Sequence, residues 1–571
     1  MTRIPVFWLE HRCGWWDQNV VSVALSGPQF LHMEDGATPP TRFTLSGRET
    51  GCVLVVPGRF YGASVVNAWL AVMPWCVVVV TSDEEGLFDL AALEVVPERH
   101  RVFAMTPRPD RPLNGARPLG EGYPPGTSEV FQSLGAGWTR PHDVWFGGQV
   151  THKRRERLVE AIDALPGHVD AHVDASAGFT EGLPRHEYLL KLARTKVAPC
   201  PAGPATPDSF RLYEALEAGC MPIVEDTCGA YASDGFWPML YPAGAPFLVV
   251  HDWASELAKT VHVALDAWPG NAARAQAWWC AEKAKLRRDL ERAVADVGGP
   301  VAPRPAMSVI VTVSPTSDPT RQLAIIEATV ASVRERAPHA PMFVVCDGVR
   351  DEQEHLTAGY HWLLHRISHL CCHDWQAVPI MSTLWRHQAG MVKLAMDQVD
   401  TDAVLLVEQD TPLEGEIPLD DLAALVASGE VDLVRFHHES EVLDVHRHLM
   451  VGRRKRVTAA GMHEGQWIWP TVQWSQRPHV ASTGRYRTWL AAYFGSESRT
   501  MIEDAMHGVV HNAWLRHGQA GWQQFRLALY APHGNMRRSH HLDGRGAEPK
   551  YPMTFAYDGA TPEGAPAPGT R

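Results

Sequence analysis

No Cys-x-x-Cys pair occurs in this 571-residue chain, whose ten cysteines are scattered, with only Cys371 and Cys372 adjacent. That spacing implies neither a zinc knuckle nor a disulfide framework, and it suits a reducing cytoplasm. Long apolar runs are lacking too. The most hydrophobic stretch, residues 65–80, is shorter than a bilayer span and carries Asn67 and Pro74, so it reads as a helix followed by a buried strand. Glu10 comes too early in the chain for a secretory leader, and no membrane span is expected. Excess positive charge is also missing. Against 65 Asp and Glu stand 52 Lys and Arg, a formal net charge of −13; this disfavours nonspecific nucleic-acid binding but leaves room for a local basic groove.

What the chain has is the composition of a folded protein, 45% apolar and 20% charged, at a length that suggests two or three domains. Short apolar runs alternate with amphipathic ones, the pattern of parallel α/β units. Strands are expected at 53–56, 76–80, 101–105, 143–146, 196–200, 222–224 and 247–250, with helices at 153–165, 184–194 and 210–218. A Pro/Gly-rich span, residues 107–141, divides them into two groups. After a charged helix near 272–297, the Pro/Gly-rich residues 298–306 read as a linker and residues 307–313 as the first strand of another α/β unit. The domains expected are therefore 1–141, 142–297 and 307–558, followed by a disordered Pro/Gly/Ala-rich tail at 559–571.

Residues 208–226 join a loop, a helix and a strand. Arg211 and Glu214 lie three apart and share a helix face, Gly219 ends the helix, and Pro222 prevents its resumption. A helix N-terminus at the carboxyl end of a parallel sheet collects phosphate, and a carboxylate one turn further in can accept ribose hydroxyls. A buried helix capped by glycine would account for Leu212, Leu216, Gly219 and Pro222, but it does not call for Arg211 and Glu214. Ser209, Phe210, Arg211, Glu214, Ala215, Gly219, Cys220 and Pro222 resemble the donor-binding signature of exostosin-like glycosyltransferases. Upstream, Gly147 and Gly148 precede the basic residues Lys153, Arg154 and Arg155, where a pyrophosphate could rest, although a solvated basic first turn is also common. The resemblance implies a GT-B fold over the first half, two Rossmann-like lobes with metal-independent, inverting transfer. It makes Lys153, Arg154, Ser209, Arg211 and Glu214 donor-binding residues. Asp83 and Glu84 follow a strand end where a general base often lies; an acidic loop facing solvent explains them equally well, and neither is assigned.

From residue 307 the chain resembles GT-A glycosyltransferases of the large family-two type. Residues 307–313 correspond to that family's first strand and 341–348 to its second, so the resemblance puts Asp347 at the nucleobase, although Cys346 replaces the first aspartate usual there. Strand 403–407 leads into Glu408 and Asp410, which alternation sends to one side, where both can face a hard cation. A plain acidic turn would supply the same pair. In the family an Asp-x-Asp at this place holds Mn²⁺ or Mg²⁺ on the donor diphosphate. His540, in the pair His540-His541, is the candidate late metal ligand. Asp504 stands where the family keeps its general base, with Glu503 to orient it; an acidic first helical turn favoured by the dipole is the alternative. Trp467, Trp469 and Trp474 suit either stacked acceptor sugars or a core.

The reading is an α/β tandem glycosyltransferase, a GT-B module followed by a GT-A module, acting on nucleotide sugars with a glycan or protein as acceptor. The pattern also occurs in bacterial and bacteriophage enzymes, so a bacterial or phage-host cytoplasm is expected. Two rivals stand: a phage transferase modifying a DNA base, and one module serving only as a scaffold or carbohydrate-binding unit.

Overall fold

The computed structural model describes residues 3–10, 18–33, 38–40, 43–45, 48–109, 113–135, 139–178, 181–203, 205–228, 235–300, 306–437, 442–496, 498–532 and 537–542. Residues 301–305 of the expected linker and the expected tail at 559–571 lie outside them. The chain divides into two compact units, one drawn from Met1–Pro303 with Leu364–Asp374, the other from Arg304–Leu363 with Trp375–Arg571.

The first unit holds two parallel sheets. In the six-stranded one the order is Phe30–Met33, Ile4–Trp8, Cys52–Pro57, Cys76–Thr81, His100–Met105 and Arg117–Leu119. Its central strands are apolar along their whole length because both faces are covered. Val53, Val55, Val77 and Val79 enter one core, while Leu54, Val56, Val78 and Val80 enter the other, the period-two alternation of a strand. The stretch 65–80 resolves into helix Ala63–Val72 and strand Cys76–Thr81. The second sheet has the order Ala171–Ser176, His142–Gln149, Thr195–Cys200, Met221–Glu225 and Leu248–Val250. Inside the Pro/Gly-rich span the chain forms the last strand of the first sheet and helix Thr127–Leu134.

Helix Gly270–Asp296 joins these two cores. Ala272, Ala275 and Trp279 pack with the second sheet, and Leu290, Ala293 and Val294 pack with the first. Midway along it, Lys283 and the Trp279 indole N–H both reach Glu217, which is wholly buried at the end of helix Phe210–Glu217. Burial opposes the charge on Glu217, but Lys283 and His373 outweigh it and hold the carboxyl low.

The first unit also takes in Leu364–Asp374, the end of helix Thr357–His373. This corrects the single block 307–558. His365 Nε2 lies 2.9 Å from Gly219 O, Ser368 Oγ donates to Ala273 O, and Cys372 is disulfide-bonded to Cys280 at a Cα separation of 5.9 Å. The cysteine pair departs from the expectation of no disulfide. Its members are 92 residues apart, a separation at which spacing carries no pairing signal.

The second unit is one nine-stranded sheet, ordered Val378–Met381, Met342–Cys346, Met307–Val313, Ala403–Glu408, His479–Ser482, Leu433–Arg435, Leu527–Tyr530, Gln466–Pro470 and Lys455–Val457. The first four strands are parallel, and His479–Ser482 pairs antiparallel on both its sides. The pairing of Thr312 with Glu408 sets Glu408 at the carboxyl end of the parallel half, where open α/β sheets bind ligands.

Candidate functional site

In the first unit, a cationic corner lies between the second sheet and helix Phe210–Glu217. Arg211 sends Nε and Nη2 to Gly147 O at 3.1 and 2.6 Å and lays its guanidinium over the Phe146 ring at 4.9 Å. A Cβ on Gly148 would stand 2.1 Å from Arg211 Nη2, so only glycine admits this approach. Arg155, buried and bonded to Gln149 O, is lowered to about 10 by burial and by the neighbouring Arg211 and Arg154. The same burial, with Arg155 and Arg154, pushes His152 down to about 4, leaving a neutral imidazole at neutral pH. Arg154 donates to Gly203 O and approaches Glu225 at 3.8 Å. Ser209 is the N-cap residue, its hydroxyl buried and making no cap bond. Three guanidiniums gathered here supply the positive charge that an anion would need. Lys153 is exposed on the first turn of its own helix.

Glu214 differs from what the motif suggests. Its two oxygens accept from Arg185 and from the Tyr188 hydroxyl, and it is buried between helices, so its visible partners are internal rather than ribose-like. Asp208, absent from the expected set, is buried at the same corner. It accepts from Glu121 N at 2.8 Å and Tyr213 OH at 3.0 Å, and burial raises it to about 7. Asp83 faces inward rather than toward solvent: Oδ1 accepts from Leu87 N and Phe88 N at 2.7 and 3.1 Å.

In the second unit the chemistry gathers at the end of strand Ala403–Glu408. Glu408, Asp410 and His541 each offer a ligand atom, all within 4.8 Å of one another. Thr411 shapes the turn by donating to Glu408 O and accepting from Glu408 N. His541 Nδ1 lies 3.0 Å from Asp410 Oδ2, and Leu542 N donates to Asp410 O, so the late segment returns to the acidic turn. His540 is not the histidine that does this. Its ring pairs with Glu414, and the neighbour takes the expected place. Two carboxylates and one imidazole suit a divalent ion such as Mn²⁺.

Gln388, which the sequence reading passed over, connects this cluster with the candidate base. Its Nε2 donates to Glu408 Oε1 at 2.9 Å and its Oε1 accepts from Ile502 N at 3.0 Å, the first residue of helix Ile502–His517. The adjacent His387, at φ 56°, is pushed below the usual imidazole value by burial and by Arg350, with the charges of Asp347 and Asp504 opposing. Asp504 is exposed on the first helical turn, while Glu503 accepts from Gln476 N at 2.9 Å and so anchors a loop. Asp347 is buried and accepts from the Gly348, Arg386 and His387 amides at 2.9, 2.7 and 2.9 Å. It fixes the turn entering helix His387–Met396, and burial raises its pKa. Trp469 and Trp474 are buried in the core, while Trp467 is half-buried beside Arg454.

Residues 140–294 match the family described as RXYLT1 C-terminal domain, a glycosyltransferase family. The matched span runs from the second sheet of the first unit through most of the long helix, and it includes the cationic corner. Ribitol-5-phosphate xylosyltransferase 1 of Danio rerio is 39% identical over 71 residues, 12% of this chain and 16% of that protein. Among solved structures, S. aureus TarS 1-349 in complex with UDP aligns at 14% identity and TM-score 0.24, covering 41% of this chain and 59% of that one. The mannosyltransferase PcManGT from Pyrobaculum calidifontis, in complex with GDP-Man and Mn²⁺, aligns at 17% identity and TM-score 0.24, covering 46% and 67%. No helix among the described residues is long and apolar enough to cross a membrane.

Proposed function

We propose that this chain is a tandem glycosyltransferase that uses nucleotide-sugar donors, with a metal-independent module in the first unit and a metal-assisted, inverting module in the second. The observation that carries the reading is the meeting of Glu408, Asp410 and His541 at the carboxyl end of a parallel strand. The match of residues 140–294 to a glycosyltransferase domain supports the first module. There the basic corner of Arg154, Arg155 and Arg211 receives the donor diphosphate, and the Ser209 hydroxyl donates to it.

In the second module Asp504 accepts the proton of an acceptor hydroxyl as that oxygen attacks the anomeric carbon. The new carbon–oxygen bond forms as the bond to the diphosphate breaks, and the electron pair leaves with the diphosphate. A divalent ion held by Glu408, Asp410 and His541 would neutralise the charge growing on that leaving group. Gln388 keeps Glu408 and the start of the Asp504 helix in one register. Glu503 holds the neighbouring loop, and Asp347 shapes the turn on which His387 and Gln388 stand. A glycan or protein hydroxyl serves as acceptor.

The test is donor turnover by the full chain titrated with Mn²⁺ after chelation. Metal-dependent turnover that Asp410→Asn abolishes is the expected result. Turnover indifferent to both chelation and the substitution overturns the second-module assignment.

A further inference from the structure

The geometry points to a zinc site of the first unit, formed by His142, Asp170 and His172 at the amino end of the second sheet. His142 and His172 lie on neighbouring parallel strands, and Asp170 immediately precedes the second of them. His142 opens strand His142–Gln149 and His172 is the second residue of Ala171–Ser176. The donor corner, by contrast, is built at the other end of the same strand, around Gly147 and Gly148.

Backbone pairing fixes the three before any metal arrives. Asp170 O accepts from Asp143 N at 3.0 Å and Val144 N at 3.1 Å, while Asp170 N donates to Asp143 Oδ2 at 3.0 Å. From that anchored position each Asp170 oxygen meets one imidazole, Oδ2 at 2.9 Å from His142 Nδ1 and Oδ1 at 2.8 Å from His172 Nε2. The two rings stand edge to face with centroids 4.7 Å apart. One ligand atom from each residue lies within 4.8 Å of the others, whereas two ligands bound tetrahedrally to zinc are about 3.4 Å apart. Closing that difference takes side-chain rotation, and the side chains are 30%, 48% and 50% exposed for His142, Asp170 and His172, so they can turn.

The chemistry selects the ion. Two imidazoles and one carboxylate suit zinc, while calcium and magnesium prefer oxygen alone. The nearby charges favour a dication: Lys196 is neutralised by Asp143 and Lys191 by Asp174, leaving Asp170 as the surplus carboxylate. A cleft of about 180 Å³, lined by both histidines with Trp145 and Asp174, opens beside the cluster and leaves room for a water in the fourth position. A ligating imidazole nitrogen must offer its lone pair, so zinc binding requires that nitrogen to be free of a proton. The bound ion would clamp the starts of two strands together.

The experiment is calorimetric titration of the full chain with Zn²⁺ in the Asp410→Asn background, which removes the Glu408–Asp410–His541 cluster as a competitor, since zinc would displace Mn²⁺ from it. His142→Asn and His172→Gln should each weaken zinc binding by about tenfold or more, since even lost outer-shell partners cost that much, and His541→Asn should leave this site intact. Zinc should raise the melting temperature of the Asp410→Asn chain and not that of the histidine variants made in it. Should either variant fail to fold, Asp170→Asn takes its place, and the visible absorption of the Co²⁺-substituted Asp410→Asn chain reports the coordination directly. Unchanged zinc affinity in the folded variants, or a six-coordinate aqueous Co²⁺ spectrum, overturns the assignment.

Discussion

Gln388→Leu is the perturbation that tests whether the proposed metal cluster and the helix of the proposed base form one machine. The side chain is 3% exposed and makes two hydrogen bonds, to Glu408 Oε1 at 2.9 Å and from Ile502 N at 3.0 Å. Leucine keeps the volume and removes both. The orphaned Ile502 amide costs about 1–3 kcal/mol of stability, while Glu408, half-buried, recovers part of its loss by meeting water. Freed from Nε2, the Glu408 carboxylate rotates, and losing such an outer-shell partner weakens metal affinity by about 10–100-fold, or about 1.4–2.7 kcal/mol. Mn²⁺ binding followed by electron paramagnetic resonance, alongside the Mn²⁺ dependence of turnover, measures this. Gln388→Glu provides the control that separates the two bonds, because its carboxylate still accepts from Ile502 N but repels Glu408. It should fold as the wild type does and show altered metal dependence. A folded Gln388→Leu chain with wild-type Mn²⁺ affinity would refute the coupling.

Asp504→Asn should lower turnover by about 10²–10⁴-fold with donor affinity retained, the range that general-base catalysis supplies; calorimetry and initial rates decide it, and full turnover removes the base. Arg211→Gln should weaken nucleoside-diphosphate binding to the first unit by about tenfold or more, because charge-assisted bonds are worth about 1.5–3 kcal/mol. Unaltered binding to the full chain, with the second-unit site blocked by Asp410→Asn, would place the donor elsewhere. His365 is lowered to about 3 by burial and by Arg140, against an ordinary value of 6.5, so its contribution to stability is complete above the unfolded value and is lost as pH falls from 6.5 toward 3. Between pH 6.5 and 4.5 the stability difference between wild type and His365→Gln should shrink by about 2–3 kcal/mol, at about 1.4 kcal/mol per pH unit. Amide exchange in peptides from the first unit measures it, and a pH-independent difference refutes it.

Periodicity made the parallel strands legible because both of their faces are buried. Residues 307–313 form the strand Met307–Val313, and 143–146, 196–200 and 222–224 fall within His142–Gln149, Thr195–Cys200 and Met221–Glu225. Strands Ile4–Trp8 and Phe30–Met33 are not among those expected, since helix Gln18–Ala24 between them is seven residues long, too short to show a clear period. The mixed half of the second unit was missed for a related reason. Strands such as Leu433–Arg435 are three residues long, and their pairing is set by partners nearly fifty residues away, as in Val434 opposite Val480.

Side-chain roles were harder to read than positions, because a motif specifies which residues are present but not what they touch. The carboxylate of Glu214 shares a helix with Arg211, as its spacing required, yet Arg185 and Tyr188 reach it from another helix that the spacing does not describe. Asp347 ends its strand as expected, but the amides of Arg386 and His387, some forty residues on, curl around it. His540 and His541 are chemically identical in sequence, and the backbone bonds from Leu542 N to Asp410 O and from Glu414 N to Arg538 O hold the segment on which the His541 ring meets Asp410. Nothing in the sequence marked the Gln388 side chain for a role. A glutamine in an amphipathic helix reads as surface, and its importance arises because Glu408 and Ile502, twenty and 114 residues away, approach it from two sides. Long-range hydrogen bonds of this kind give a row of plausible carboxylates their proposed roles, so Gln388, to which the sequence assigned no role, is where the proposed mechanism is most exposed to disproof.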